Sequence, residues 1–224
     1  GIYYLNPGYS GGFRAGRITQ RLLGLLQANG EASMDDLADI QADVGLLDAE
    51  YFTPVILQAM ANATGSPTAP ELAALGADPE LQEAVARLAD WDQTTPTGIK
   101  QGYDAGDDPD NLPEPDADEI ANSVAATIYS VWRGQAVRGI IDRTLGDLGL
   151  PGPGSTQAMT ALRNLFDNFP TRGGFGASGI NFFDVPGVAD PAERRSFVES
   201  LGVGIDRRGQ HLGPHQAGSH AVDV

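Results

Sequence analysis

The chain has 224 residues, with 30 Asp plus Glu against 14 Lys plus Arg, a formal charge of −16 and no cysteine. Such a length can bury a real core in one large or two small domains, and the missing thiols exclude disulfide scaffolds, thiolate zinc sites and cysteine nucleophiles. The acidic balance argues against a nucleic-acid partner, which needs a basic surface. No apolar run approaches the roughly 18 residues that span a bilayer, so no membrane partner is expected.

Gly1 to Leu5 reads as extended chain and opens without a start Met or a charged leader, which points to a piece of a longer polypeptide. After the glycine-rich entry Gly8-Tyr9-Ser10-Gly11-Gly12, the spacing of Ile18, Leu22, Leu25 and Leu26 predicts a helix over 13–28, stopped by Asn29-Gly30. Ser33 with Asp36 three residues on forms a capping signal, and Leu37, Ile40, Val44, Leu47 and Tyr51 predict a second helix from there to about Glu50. Pro54 then makes Val55 to Ala63 either a kinked continuation or a separate short helix. Thr64 to Pro70 reads as a loop.

Asp78-Pro79 pairs an N-cap with proline at the first helical position, ahead of a stripe of Leu81, Val85, Leu88 and Trp91. From Asp92 the chain reads as open. Its acidic block Asp104 to Glu119, set among Gly and Pro, reads as a solvated loop that lacks the central Gly and terminal Glu of a calcium-binding loop. Asp118 is expected to cap a long helix whose apolar face is Ile120, Val124, Ile128, Val131, Ala136, Ile140 and Ile141. Pro151-Gly152-Pro153-Gly154 ends that unit, and Ser155 or Thr156 starts a helix through Met159, Leu162, Leu165 and Phe166. Gly179 to Val185 reads as extended, and Asp190-Pro191 as a last helix start ahead of Phe197 and Leu201. The predicted fold class is mainly α, with the helical region at 1–201 and an irregular Gly/His-rich tail at 202–224.

His211, His215 and His220 all lie in that tail. Imidazole is the commonest metal ligand, but the spacing lacks the helix-and-glutamate frame of a zinc site. With histidine confined to the tail, no Ser-His triad has a place to assemble. Gly176-Ala177-Ser178-Gly179 falls one residue short of a nucleophile elbow. One candidate site is left. Residues 1–30 hold no acid, and Arg14, Arg17 and Arg21 share one face of the first helix. Two readings stay open there: a solvated basic face, or Arg17 turned inward toward an anion or a developing oxyanion.

The segment Asn6-Pro7-Gly8-Tyr9-Ser10-Gly11-Gly12-Phe13-Arg14-Ala15-Gly16-Arg17-Ile18 resembles the part of penicillin acylases that ends in an Arg-x-x-Arg-Ile helix start. The likeness continues in order through Ser33-Met34-Asp35-Asp36-Leu37 with Ile40-Gln41-Ala42-Asp43, then Leu88-Ala89-Asp90-Trp91-Asp92 and Ile128-Tyr129-Ser130-Val131-Trp132. It ends at Gly176-Ala177-Ser178-Gly179-Ile180-Asn181-Phe182-Phe183. The resemblance implies a self-processed N-terminal-nucleophile amidohydrolase built on an αββα sandwich. In that family a serine at the start of the large chain attacks a linear amide, using its own α-amine as base.

By the same resemblance, the nucleophile and the asparagine that helps hold the oxyanion lie upstream of Gly1, and this chain is the helical middle of the large subunit. Arg17 matches the family's active-site arginine, Arg14 a structural one, and Asn6 the place where some members hold a structural calcium. Residues 104–119 look like an insertion, and the tail from Gly202 departs from the family pattern. No cofactor is expected for catalysis. The implied partners are a small-molecule amide, such as a β-lactam side chain, an acyl-homoserine lactone or an acylated amino acid, and the remainder of the precursor. The implied location is periplasmic or secreted. The alternative is a non-catalytic helical module whose arginine stripe docks an acidic partner.

Overall fold

The computed structural model describes residues 12–97, 99 and 114–183, together with the backbone of 205–206 and 210–211. The architecture is mainly α, as the periodicity indicates. Its helices are α1 (Phe13–Asn29), α2 (Met34–Gln41), α3 (Leu47–Thr64), α4 (Pro70–Gly76), α5 (Pro79–Asp90) and α6 (Ala117–Ala136). A π-helical segment, Val137–Asp142, joins α6 to α7 (Arg143–Asp147), and α8 (Ser155–Asp167) and α9 (Phe169–Arg172) follow. Strands β1 (Ile205–Asp206) and β2 (Gln210–His211) pair antiparallel within the tail.

The caps explain where the helices begin. Ser33 accepts from the Asp36 amide while the Asp36 carboxylate accepts from the Ser33 amide, closing a capping box at the head of α2. Asp78 accepts from the Glu80 and Leu81 amides, with Pro79 pre-set for the first turn of α5.

Helix α3 lies at the centre, packed against α1, α4 and α5, while α5 meets α6 and α8 meets the π-helical segment. The approach of α4 to α3 is close. A methyl group on Gly76 would stand 2.3 Å from the Ala63 carbonyl oxygen, so only glycine allows the two backbones to meet. The core is aromatic. Phe52 contacts Trp132 and Phe166 with ring centres 5.6 and 5.7 Å apart, and Tyr129 stacks on Trp132 at 5.7 Å. Leu72, Leu88, Ile140, Ile141 and Leu162 fill the space between them. Removing such side chains from water is the main favourable term in folding.

The structure corrects four expectations. The helix expected from Ser33 to Glu50 is two helices: α2 ends at Gln41, and α3 starts at Leu47 and runs through Pro54 to Thr64. The chain leaves the helix because 43–46 finds partners elsewhere. The Leu46 amide donates to the Gln93 carbonyl, and the Val44 carbonyl accepts from both the amide and the hydroxyl of Thr95.

The cap of the long helix is Asp116, not Asp118, because Asp116 and Glu119 form a reciprocal capping box three residues apart. The apolar face is also only partly the expected one. Of that face, Ala136, Ile140 and Ile141 are buried and Ile128 packs on the core. In the earlier turns, however, Ala125, Ala126, Tyr129 and Trp132 are buried, whereas Ile120, Val124 and Val131 are 47, 39 and 42% exposed. The aromatic pair outweighs the aliphatic stripe because it buries more apolar area per residue.

Last, the described part of 179–185 is not a strand. It is the return arm of a tight turn, with the Gly176 amide donating to the Ile180 carbonyl and the Phe182 amide to the Gly174 carbonyl. That turn delivers Phe183 to the core. A short helix, α4, starts at Pro70, where periodicity carries no helix signal. The expected extended opening at 1–5, the helix start at Asp190 and most of the acidic block lie outside the described residues.

Candidate functional site

Helix α1 carries Arg14, Arg17 and Arg21 at spacings of three and four, and like charges so placed repel one another along the helix surface. The 42–46 break resolves this. It brings the Asp43 carboxylate, whose side chain is 9% exposed, between Arg17 and Arg21.

Arg17 donates to Asp43 through both Nε (2.9 Å to Oδ1) and Nη2 (3.1 Å to Oδ2), the bidentate fork that a guanidinium makes best. Its Nη1 donates to Glu50 Oε1 at 2.7 Å and to Gln20 Oε1 at 3.3 Å. Arg21 Nε stands 3.2 Å from Asp43 Oδ2, and the Gly45 amide donates to Asp43 Oδ1 at 3.0 Å. Gly45 also makes room for the pair, since a methyl group there would lie 2.5 Å from Arg17 Nη2. Arg14 remains exposed, its Nη2 3.5 Å from the Gln41 carbonyl oxygen.

The Arg17 side chain, 22% exposed, is therefore not part of a solvated face. It faces two carboxylates, and one N–H on Nη2 is left after the bonds to Asp43, Glu50 and Gln20. The Asp43 hydrogen bond, opposed by burial and reinforced by the Asp43 and Glu50 charges, holds the guanidinium above its ordinary value. In turn the Arg17 hydrogen bond holds the Asp43 carboxyl below the usual carboxylate range. Burial works against that bond, while the Gly45 amide and the charges of Arg17 and Arg21 work with it.

The sign of the pH effect follows. An unfolded Asp titrates near 3.9, and the folded one titrates lower. Asp43 therefore adds stability that is complete above about pH 4 and is lost as pH falls through its folded value. The stability difference between the native chain and Asp43→Asn should be small at low pH, grow as pH rises to about 4 and stay constant above it; a difference that does not shrink as pH falls below about 4 would contradict the geometry.

Sequence reasoning named Arg17 but missed Asp43, Glu50 and Gly45. The signal that could have found Asp43 was a glycine two residues after an acid, inside a predicted helix, following a chain segment that has arginines and no acid. A second charged pair also went unseen. Asp48, 5% exposed in the first turn of α3, accepts from Arg133 Nη1 at 3.0 Å. Asn6 lies outside the described residues, as do His215, His220 and the side chain of His211. Among the described residues no group of three or more His, Cys, Asp or Glu side chains could hold a metal ion. Among them, too, no helix is long and apolar enough to cross a membrane.

Comparison with known proteins gives one match. The family model described as penicillin amidase matches residues 1–199. No curated protein and no solved structure matches the chain.

Proposed function

Because the chain belongs to the penicillin amidase family, whose lineage is that of amide hydrolases, we propose that it is the helical part of an acylase that cleaves a linear amide between an acyl group and an amine. The serine nucleophile then lies in polypeptide outside these 224 residues, on an αββα sandwich that these helices cover. The single observation that carries this reading is the family match over residues 1–199.

Two structural features support it. Several described hydroxyls are committed locally, Thr19 to the Ala15 carbonyl, Thr127 to that of Ser123 and Thr160 to that of Thr156, rather than poised beside a base. The exposed stripe of Ile120, Val124 and Val131 on α6 is what a helix shows when a further layer is to cover it.

In this reading Arg17 is the chain's contribution to the active site. Asp43 and Glu50 fix the plane of its guanidinium, so that it organises the wall against which the nucleophile works, without reorganising during the reaction. Acyl group, leaving amine and a periplasmic or secreted location follow from the family only as expectations.

The experiment is direct. The purified 224-residue chain should not hydrolyse acyl p-nitroanilides, and the same chain produced together with the rest of its precursor should. Turnover by the 224 residues alone would overturn the proposal.

A further inference from the structure

A cavity of about 430 Å³ opens beside α3 and α6, and none of its lining residues takes part in the Arg17–Asp43 pair. That volume lies within the roughly 300–1,000 Å³ of small-molecule sites. Asp48 and Arg133 line it on one side, and Phe13, Val137 and Met159 supply apolar wall. Val137 is also the first residue of the π-helical segment, and π-helical insertions are frequent at ligand sites.

The charges in this cavity are costly and under-used. Taking a carboxylate out of water is expensive unless its partners are complete. Yet Asp48 is 5% exposed, and its single ion pair among the described residues is with Arg133. Arg133 spends one nitrogen on that pair and keeps a side chain 44% exposed, with its other donors unengaged among the described residues. Behind them the Tyr129 hydroxyl is fully buried and stands beside Asp48 without a hydrogen bond of good geometry.

An acid at the back and a guanidinium nearer the mouth select against simple ions. A lone anion meets Asp48, and a lone cation meets Arg133. A molecule with an ammonium and a carboxylate on one carbon answers both, the ammonium donating to Asp48 and the carboxylate accepting from the free edge of the guanidinium. Its side chain then faces Phe13, Val137 and Met159. We propose that this cavity is a binding site for an α-aminocarboxylate zwitterion with an apolar side chain. The proposal is independent of the hydrolase reading.

Calorimetric titration of the full chain with leucine tests it, with leucinamide and N-acetyl-leucine as the two singly charged controls. Saturable binding of leucine is expected, weakened at least about tenfold in each control by loss of one charge-assisted contact. Arg133→Gln, checked for native helicity because it removes the ion pair of Asp48, should abolish binding. Val137→Trp, checked for native helicity, should block the cavity while leaving both charges in place. No heat with leucine, equal binding of either control, or unchanged binding in Arg133→Gln would overturn the proposal.

Discussion

Replacing Trp132 by alanine should lower the unfolding free energy by about 3–5 kcal/mol, the range for emptying a large aromatic site in a close-packed core. Trp132 is fully buried, with Phe52 5.6 Å and Tyr129 5.7 Å away between ring centres. Those neighbours come from α3 and from α6 itself, so the indole ties the central helix to the longest one. Neither can close the gap, because Phe52 is also held edge-on by Phe166 from α8 at 5.7 Å. Trp132→Phe keeps a ring in place and should recover part of the loss. Denaturant unfolding of the three proteins gives the answer, and an alanine variant within about 1 kcal/mol of the native chain would show that the aromatic cluster is not the core. On a typical stability of about 5–15 kcal/mol, the expected loss is large enough to populate unfolded chain.

In the complete hydrolase, Arg17→Ala should lower kcat by about 10²–10³-fold, equivalent to roughly 2.7–4 kcal/mol, the range measured when one donor that stabilises an oxyanion is removed. The geometry adds a control. Asp43 holds Arg17 by two hydrogen bonds and Glu50 holds it by one. Asp43→Asn should therefore lower kcat in the same direction but less, since Glu50 still anchors Nη1. KM should change less than kcat in both variants, because the loss falls on the transition state. Unchanged kcat and KM in Arg17→Ala, with a lowered unfolding midpoint, would make the ion pair a purely structural tie between α1 and the 42–46 break.

The sequence carried the parts of this fold that are written locally. Helix α1 and the Asp78 cap of α5 need only residues within a turn of each other, and both stand where periodicity and capping put them. The break after α2 does not, because what ends that helix is far away in sequence: Gln93 and Thr95 capture the backbone of Leu46 and Val44. The first half of the apolar face of α6 was misplaced for a related reason. Ile120, Val124 and Val131 form a cleaner aliphatic stripe than Tyr129 and Trp132, yet only contact with Phe52 and Trp91 decides which side is covered.

The candidate site was half legible. Arginines at helical spacing in an acid-free segment marked Arg17, but its partners stand 26 and 33 residues further on. No spacing rule connects them. Asp48 and Arg133, 85 residues apart, left no trace in the sequence at all.

On the proposed reading, these residues support a nucleophile they do not contain. Treating the complete, processed enzyme with a serine-directed sulfonyl fluoride and mapping the adduct by peptide mass spectrometry tests it most directly. Loss of amidase activity is expected, with the modified hydroxyl outside these 224 residues. An adduct on any serine or threonine within them, formed in step with inactivation, would contradict it.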